Sequence, residues 1–334
     1  MIIAVDAMGG DHAPEVIVQG VLQAVGELGA DITLIGDRKA IGDQHGDELK
    51  RAGVRIHHCD EVILMDESPL KAVRRKKDAS IRVAFEMVKK GEVDAVVSAG
   101  HSGAMMAAAI LTLGRVTGIE RPAFASIYPG EKGEVILIDV GANVDSRPVH
   151  LLQFGLMGHV FAKFCKGVTD PKIGLLSIGE EGRKGNDQVR QAHKLFQASH
   201  LNFVGNVEGR DIFSGAVQVV VCDGFVGNIV LKVMEGMAEF LAQRVEKEVK
   251  RFFPKISRGP VDPGILESLR EKLDYAEYGG APILGIKGVG IVCHGGSSAK
   301  AIKNGIKMAL DHARNNVSDR LAMDIARIWR DKVS

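Results

Sequence analysis

Short runs of β-branched residues alternate with amphipathic stretches along the chain, and no other feature restricts its fold as strongly. The runs Ile32 to Ile35, Ala95 to Val97, Val135 to Val140, Ile173 to Ile178, Phe203 to Val204 and Val217 to Cys222 read as strands. With helical segments between them, they predict an α/β protein whose sheet is flanked by helices. Several runs end in polar, glycine-bearing turns: Ser98 to Gly103, Asp139 to Asp145 and Cys222 to Asn228. Ligands of open α/β sheets gather at the carboxyl ends of strands, so these turns are expected to build one composite site.

The opening run Ile2 to Asp6 is a strand that breaks on Gly9 and Gly10 before a helix. Adjacent glycines let backbone amides approach a ligand. The helix, with Asp11 or His12 as its cap and Pro14 in its first turn, would add its positive end. The run therefore reads as an anion-binding corner. A tight strand-to-helix turn is the alternative, because the spacing is neither Gly-x-Gly-x-x-Gly nor Walker A.

A chain of 334 residues with 46% apolar and 25% charged content can bury a large core. Its net charge of +1 gives no case for nucleic-acid binding. Four scattered cysteines form neither a disulfide framework nor a Cys-x-x-Cys metal site, which fits a reducing cytoplasm, and no histidine spacing marks a metal. No leader is expected before the first strand, and no apolar run approaches the roughly 20 residues of a membrane-spanning helix.

From about Ile229 a helical pattern runs through Leu231, Met234, Met237, Phe240 and Leu241, and a second helical segment reaches Lys272. Residues 229–272 are thus expected to form a protruding hairpin for dimer or membrane contact. Its basic tip would present Phe252 and Phe253 to a membrane surface. The tail from Ala299 to Val333 reads as closing helices, with Trp329 in the core or an interface.

These motifs, with Arg74-Arg75-Lys76-Lys77, Gly182 to Asn186, Gly205 to Arg210, Tyr278 to Ala281 and His294 to Ser298, resemble the bacterial phosphate acyltransferase family PlsX over nearly the whole chain. The resemblance implies transfer of a fatty acyl group from acyl carrier protein to inorganic phosphate, giving acyl phosphate for phospholipid synthesis. It also implies a single catalytic domain with a three-layer, Rossmann-like α/β/α fold, similar to phosphotransacetylases and isocitrate-type dehydrogenases. A cytoplasmic homodimer associated peripherally with the membrane is expected, without metal or organic cofactor, acting with a downstream glycerol-3-phosphate acyltransferase. Family members commonly carry Asn-Thr where this chain has His101-Ser102, so no imidazole chemistry is expected there.

Phosphorolysis of a thioester needs phosphate held against the carbonyl and donors for the oxyanion, with little proton transfer. Lys184 is accordingly the first catalytic candidate, neutralising phosphate or the oxyanion, and Asp223 the second, accepting a phosphate proton. The expected phosphate and substrate contacts are Asp6, Gly9, Gly10, Asp11, Ser98, Gly100, Ser102, Gly103, Asn143, Asp145, Asn186, Glu208, Gly224 and Asn228. Asn206 is expected to work with Glu208, and Lys232 shares a helix face with Asn228. Arg74, Arg75 and Lys76 would dock the acidic carrier protein.

Four rivals have weaker support. Gly100-His101-Ser102-Gly103 lacks the glycine spacing of a hydrolase elbow. A dehydrogenase would need a dinucleotide fingerprint that the first strand does not carry. A membrane scaffold built on Phe252-Phe253, or a related short-chain phosphotransacylase, remains as the alternative function.

Overall fold

The computed structural model describes residues 1–252 and 279–330. Its centre is an eleven-stranded sheet in the order β3-β2-β1-β4-β11-β10-β5-β6-β9-β7-β8. These strands are β1 (Ile2–Asp6), β2 (Asp31–Gly36), β3 (Arg55–His58), β4 (Ala95–Ser98), β5 (Ala123–Gly130), β6 (Gly133–Ile138), β7 (Ile173–Leu176), β8 (Phe203–Val207), β9 (Val219–Val221), β10 (Ala281–Leu284) and β11 (Gly290–Val292).

Strand side chains alternate between faces, as a period of two requires. Ile3, Val5, Ile32, Leu34 and Val97 enter one apolar layer, whereas Ala4, Ile35 and Val96 enter the layer opposite. Helices α1 (Glu15–Leu28) and α2 (Arg38–Arg51) pack on the first face; α3 (Pro69–Arg75), α4 (Ser80–Lys90) and α5 (Ser102–Thr112) pack on the second. In the other half, α6 (Pro148–Cys165) and α7 (Asp187–Gln197) cover one face, and the start of α8 (Gly224–Phe252) covers the other. Helices α9 (Ala299–Arg314) and α10 (Val317–Arg330) complete the three layers.

Local chemistry explains many boundaries. Gly29 ends α1 in the left-handed region at φ 62°, where a side chain would be strained. Ser298 Oγ caps α9 by accepting from Ala301 N at 3.3 Å. Gly155 of α6 lets the buried ring of Phe196 on α7 approach; a Cβ there would lie 2.4 Å from Phe196 Cε1. Burying such a ring contributes about 1.5–3 kcal/mol.

Four strands, β3, β5, β10 and β11, fall outside the expected runs. β3 is a largely exposed, polar edge strand, β5 and β10 contain Pro129 and Pro282, and β11 has only three residues. The first helix also begins later than expected. Pro14 occupies its N-cap position without a side-chain cap, so neither Asp11 nor His12 caps it. Asp11 N donates instead to Gly295 O at 2.8 Å, holding the preceding loop against another turn.

The largest departure is directional. β11 runs parallel to β4, β10 reverses against β11, β5 reverses against β10, and β6 reverses again in a hairpin with β5. β9, β7 and β8 follow the direction of β6. The carboxyl ends of β1 and β4 therefore point opposite to those of β6, β9 and β7. Glycine turns expected in one place are divided into two clusters.

Candidate active site

The first cluster is built on adjacent strands β1 and β4. Asp6 is 1% exposed, and its Oδ2 accepts from Ser98 Oγ at 2.7 Å while its Oδ1 accepts from Met8 N at 3.1 Å. Ser80 and the Gly9 amide also bond the carboxylate. Burial pushes this carboxyl above its ordinary value, and those hydrogen bonds oppose the rise. Gly9 is required by close approach, since a Cβ would lie 2.6 Å from both Asp6 Oδ2 and Gly100 N.

This geometry corrects the reading of the opening turn. The Met8 and Gly9 amides serve Asp6, Asp11 N serves Gly295 O, and Gly100 N donates to Ser98 Oγ at 3.0 Å. Gly103 N donates to His101 Nδ1 at 3.2 Å, which gives that histidine a capping role on α5. An internal carboxylate occupies the place expected for an outside anion. Asp6 and Ser98 are thus organisers of the corner, with Gly9, Gly10 and Gly100 as its close-packed backbone. Ser102 opens α5 with its side chain exposed, and Asp11 lies beside Gly295.

The second cluster repeats the device at the end of β6. Asp139 is fully buried; Oδ1 accepts from Phe124 N and Ala142 N, each at 3.0 Å, and Oδ2 accepts from Asn143 N at 2.7 Å. Desolvation raises its carboxyl to about 6 despite these donors. Asn143 Nδ2 bonds Pro122 O and Asp139 Oδ2 at 2.8 and 2.9 Å, so its amide group braces the loop rather than reaching outward. Asp145 is exposed in the left-handed region at φ 60°.

Helix α8 starts against this loop. Gly224 N donates to Asn143 O at 2.8 Å, and a Cβ on Gly227 would overlap Asp139 O at 1.8 Å. Asp223 Oδ1 accepts from Val226 N at 2.8 Å, capping the helix with one carboxylate oxygen. Asn228 lies beside Gly141, where an added Cβ would be 3.2 Å from Asn228 Oδ1, and Lys232 is exposed one turn later.

Lys184 stands exposed on the loop between β7 and α7, without an ion-pair partner among the described residues. That loop is tightly held. Lys184 N and Asn206 Nδ2 donate to Glu181 O at 2.8 and 2.9 Å, and Asn206 Oδ1 lies 3.0 Å from His193 Nδ1. Asn186 Oδ1 accepts from Val189 N at 2.9 Å, a capping bond that engages one side of its amide group. Glu208 stands at the N-cap of the short turn Gly209–Phe213, where its N donates to Asp211 Oδ2 at 2.8 Å, and its carboxylate pairs with Arg210 Nε at 3.0 Å. Neither Asn206 nor Glu208 bonds the other.

A groove of about 520 Å³ runs along α5 between the two clusters. His101, Ser102 and Gly103 from the first cluster line it together with Phe124, Gly141 and Ala142 from the second. Sequence reasoning missed this groove because its wall combines α5 with the distant Phe124. Asp139 and His193 were also missed as organisers; Asp139 lay inside a recognised turn, and only its burial distinguishes it.

The basic run divides in the same way. Lys76 Nζ donates to Val62 O at 2.6 Å and Glu67 Oε2 at 2.5 Å, so its expected docking role is corrected to an internal tie. Arg75 pairs with Glu67 at 2.8 Å but remains 73% exposed, and Arg74 is exposed beside it. The side chain of Phe252, all of Phe253, the hairpin beyond residue 252 and the packing of Trp329 lie outside the described residues and side chains.

The fold and groove define a two-sided α/β enzyme cleft. The chain belongs to the fatty acid synthesis protein family, whose model matches residues 1–320. Phosphate acyltransferase from Geotalea uraniireducens is 50% identical over 323 residues, covering 96% of this chain and 93% of its own. Its counterpart from Pelotomaculum thermopropionicum is 51% identical over 326 residues, covering 97% and 94%. A phosphotransacetylase structure from Streptococcus pyogenes superposes with a TM-score of 0.62 at 18% identity, covering 94% of each chain, and shares the fold.

Proposed function

We propose that the protein moves a fatty acyl group from acyl carrier protein to inorganic phosphate, producing acyl phosphate for phospholipid synthesis. The observation that carries this reading is the apolar groove lined in part by the glycine loop that Asp139 braces. Such a juxtaposition suits an acyl chain beside an anion. The family membership and its phosphate acyltransferase relatives support the same reaction.

In the reaction, a phosphate oxygen attacks the thioester carbonyl, the tetrahedral oxyanion collapses, and the carbon–sulfur bond breaks to release the carrier thiolate. Lys184 is assigned to the phosphate or oxyanion charge. Asp223, with one oxygen engaged by Val226 N, orients a remaining phosphate proton through the other. Ser102, Asp145, Gly224 and Asn228 are retained as substrate contacts. His101 needs no role beyond capping α5.

The whole chain acts as one catalytic unit in this reading. Phe225, Ile229, Val233, Met237 and Phe240 form an exposed apolar stripe on α8 at three- and four-residue spacing, which favours a homodimer. No helix among the described residues is long and apolar enough to cross a membrane. Peripheral membrane attachment through residues 229–272, a cytoplasmic location and handover to a glycerol-3-phosphate acyltransferase belong to the proposal. Incubation with palmitoyl carrier protein and phosphate, followed by hydroxylamine trapping, should yield phosphate-dependent hydroxamate; its absence would refute the activity.

A further inference from the structure

We propose that the groove along α5 seats the acyl chain and that Ala107 sets the longest chain admitted. This assignment rests on the acyl-transfer reading above and names the part of the cleft that selects among its substrates.

The chemistry of the wall identifies the occupant. Met106, Ala107, Ile110 and Leu111 occupy one face of α5, and Phe124 from β5 and Leu70 from α3 join them in the lining. None of the residues around the groove is Asp, Glu, Lys or Arg. The stretch from Met106 to Leu111 offers an anion no countercharge, so this portion favours an apolar occupant over phosphate. Of the reacting components, the acyl chain alone is both long and wholly apolar; the carrier's thiol-bearing arm is long but carries amides and a hydroxyl that would need partners. Leu70 and Leu111 are 45% and 47% exposed, leaving apolar surface for such a chain to cover.

Dimensions explain why Ala107 matters. From Gly103 to Leu111 the helix advances about 12 Å, and Ala107 lies at the midpoint with only a methyl side chain. Pro69 packs closely on Gly103, where a Cβ would lie 2.9 Å from Pro69 Cγ, so one end of the wall is already tight. A larger group at Ala107 would divide the groove. Chains reaching past it would lose the contacts of the remaining half, at about fourfold in kcat/KM for each displaced methylene.

The test compares eight- and sixteen-carbon acyl carrier substrates in Ala107→Val, Ala107→Leu and Ala107→Trp variants. The sixteen-to-eight-carbon ratio of kcat/KM should fall progressively with side-chain volume, by at least about tenfold for Ala107→Trp. An unchanged ratio, or equal losses for both substrates, would overturn the assignment. Ala107→Leu keeps the test decisive if the tryptophan variant does not melt cooperatively. Wild-type protein that forms no acyl phosphate from either substrate would instead sink the underlying reaction, separating that failure from a misplaced chain.

Discussion

Ser98 Oγ donates to Asp6 Oδ2 at 2.7 Å, joining the ends of two adjacent parallel strands through fully buried groups. The same hydroxyl oxygen accepts from Gly100 N, so one serine links the carboxylate to the next glycine turn. Ser98→Ala should destabilise the protein by about 1–3 kcal/mol, because it strands a buried acceptor and a backbone donor. Chemical denaturation tests this; a loss below a few tenths of a kcal/mol would contradict the bracing role.

Lys184 lies on a held loop while its side chain remains exposed, so removing its charge should spare the fold. Lys184→Ala is expected to lower kcat about 100–1000-fold, as losing a preorganised oxyanion donor typically costs about 2.7–4 kcal/mol. Steady-state phosphorolysis and a thermal melt together provide the check. Near-normal turnover would remove Lys184 from the mechanism.

Gly182 supports that lysine through packing. A Cβ at Gly182 would approach His193 Nε2 to 2.7 Å, and His193 is itself tied to Asn206. Gly182→Ala should shift the loop and reduce kcat by roughly tenfold, a rise of about 1.4 kcal/mol in the barrier. The KM for phosphate and the melting temperature should change little. A variant with wild-type kcat would show that loop position is unimportant.

The split in the basic run predicts opposite phenotypes. Arg74→Glu should raise KM for carrier-bound substrate and weaken its salt dependence, leaving stability nearly unchanged. Lys76→Ala should instead destabilise the protein by about 1–3 kcal/mol, since Glu67 and Val62 O lose a shared, partly buried partner. Kinetics at two ionic strengths and denaturant melts separate these outcomes; identical behaviour of the two variants would count against the division.

His312 offers a pH prediction away from the cleft. It is buried with its edge against Phe161, Nδ1 lacks a partner among the described residues, and burial depresses its pKa from 6.5 to about 4. Between those values the unfolded chain binds more protons than the folded one, so stability falls as pH drops from about 6.5 towards 4. The loss should reach the order of 3 kcal/mol, and His312→Leu should flatten that limb of the stability curve. An unchanged pH slope in the variant would exclude this histidine as its source.

Much of the architecture was legible because its signals are local. Ile32 to Ile35 and Ala95 to Val97 fall within strands, and glycine turns follow β4, β6 and β9, since alternation and backbone sterics act over a few residues. Lys184 and Asp223 could be selected by charge beside such turns. The capping duty of Asn186, the pairing of Glu208 with Arg210 and the internal tie of Lys76 could not, because each depends on which donor or acceptor packing brings within reach.

The sequence by itself determined an alternating α/β chain with polar turns after its strands, through residue shape, spacing and backbone freedom. Only the tertiary structure decided that the β5–β6 hairpin sends those turns to opposite sheet ends, with Asp6 and Asp139 each occupying an amide cradle. Strand direction and amide occupancy arise from pairing between distant segments. Their hydrogen bonds exist only when separated parts of the chain meet.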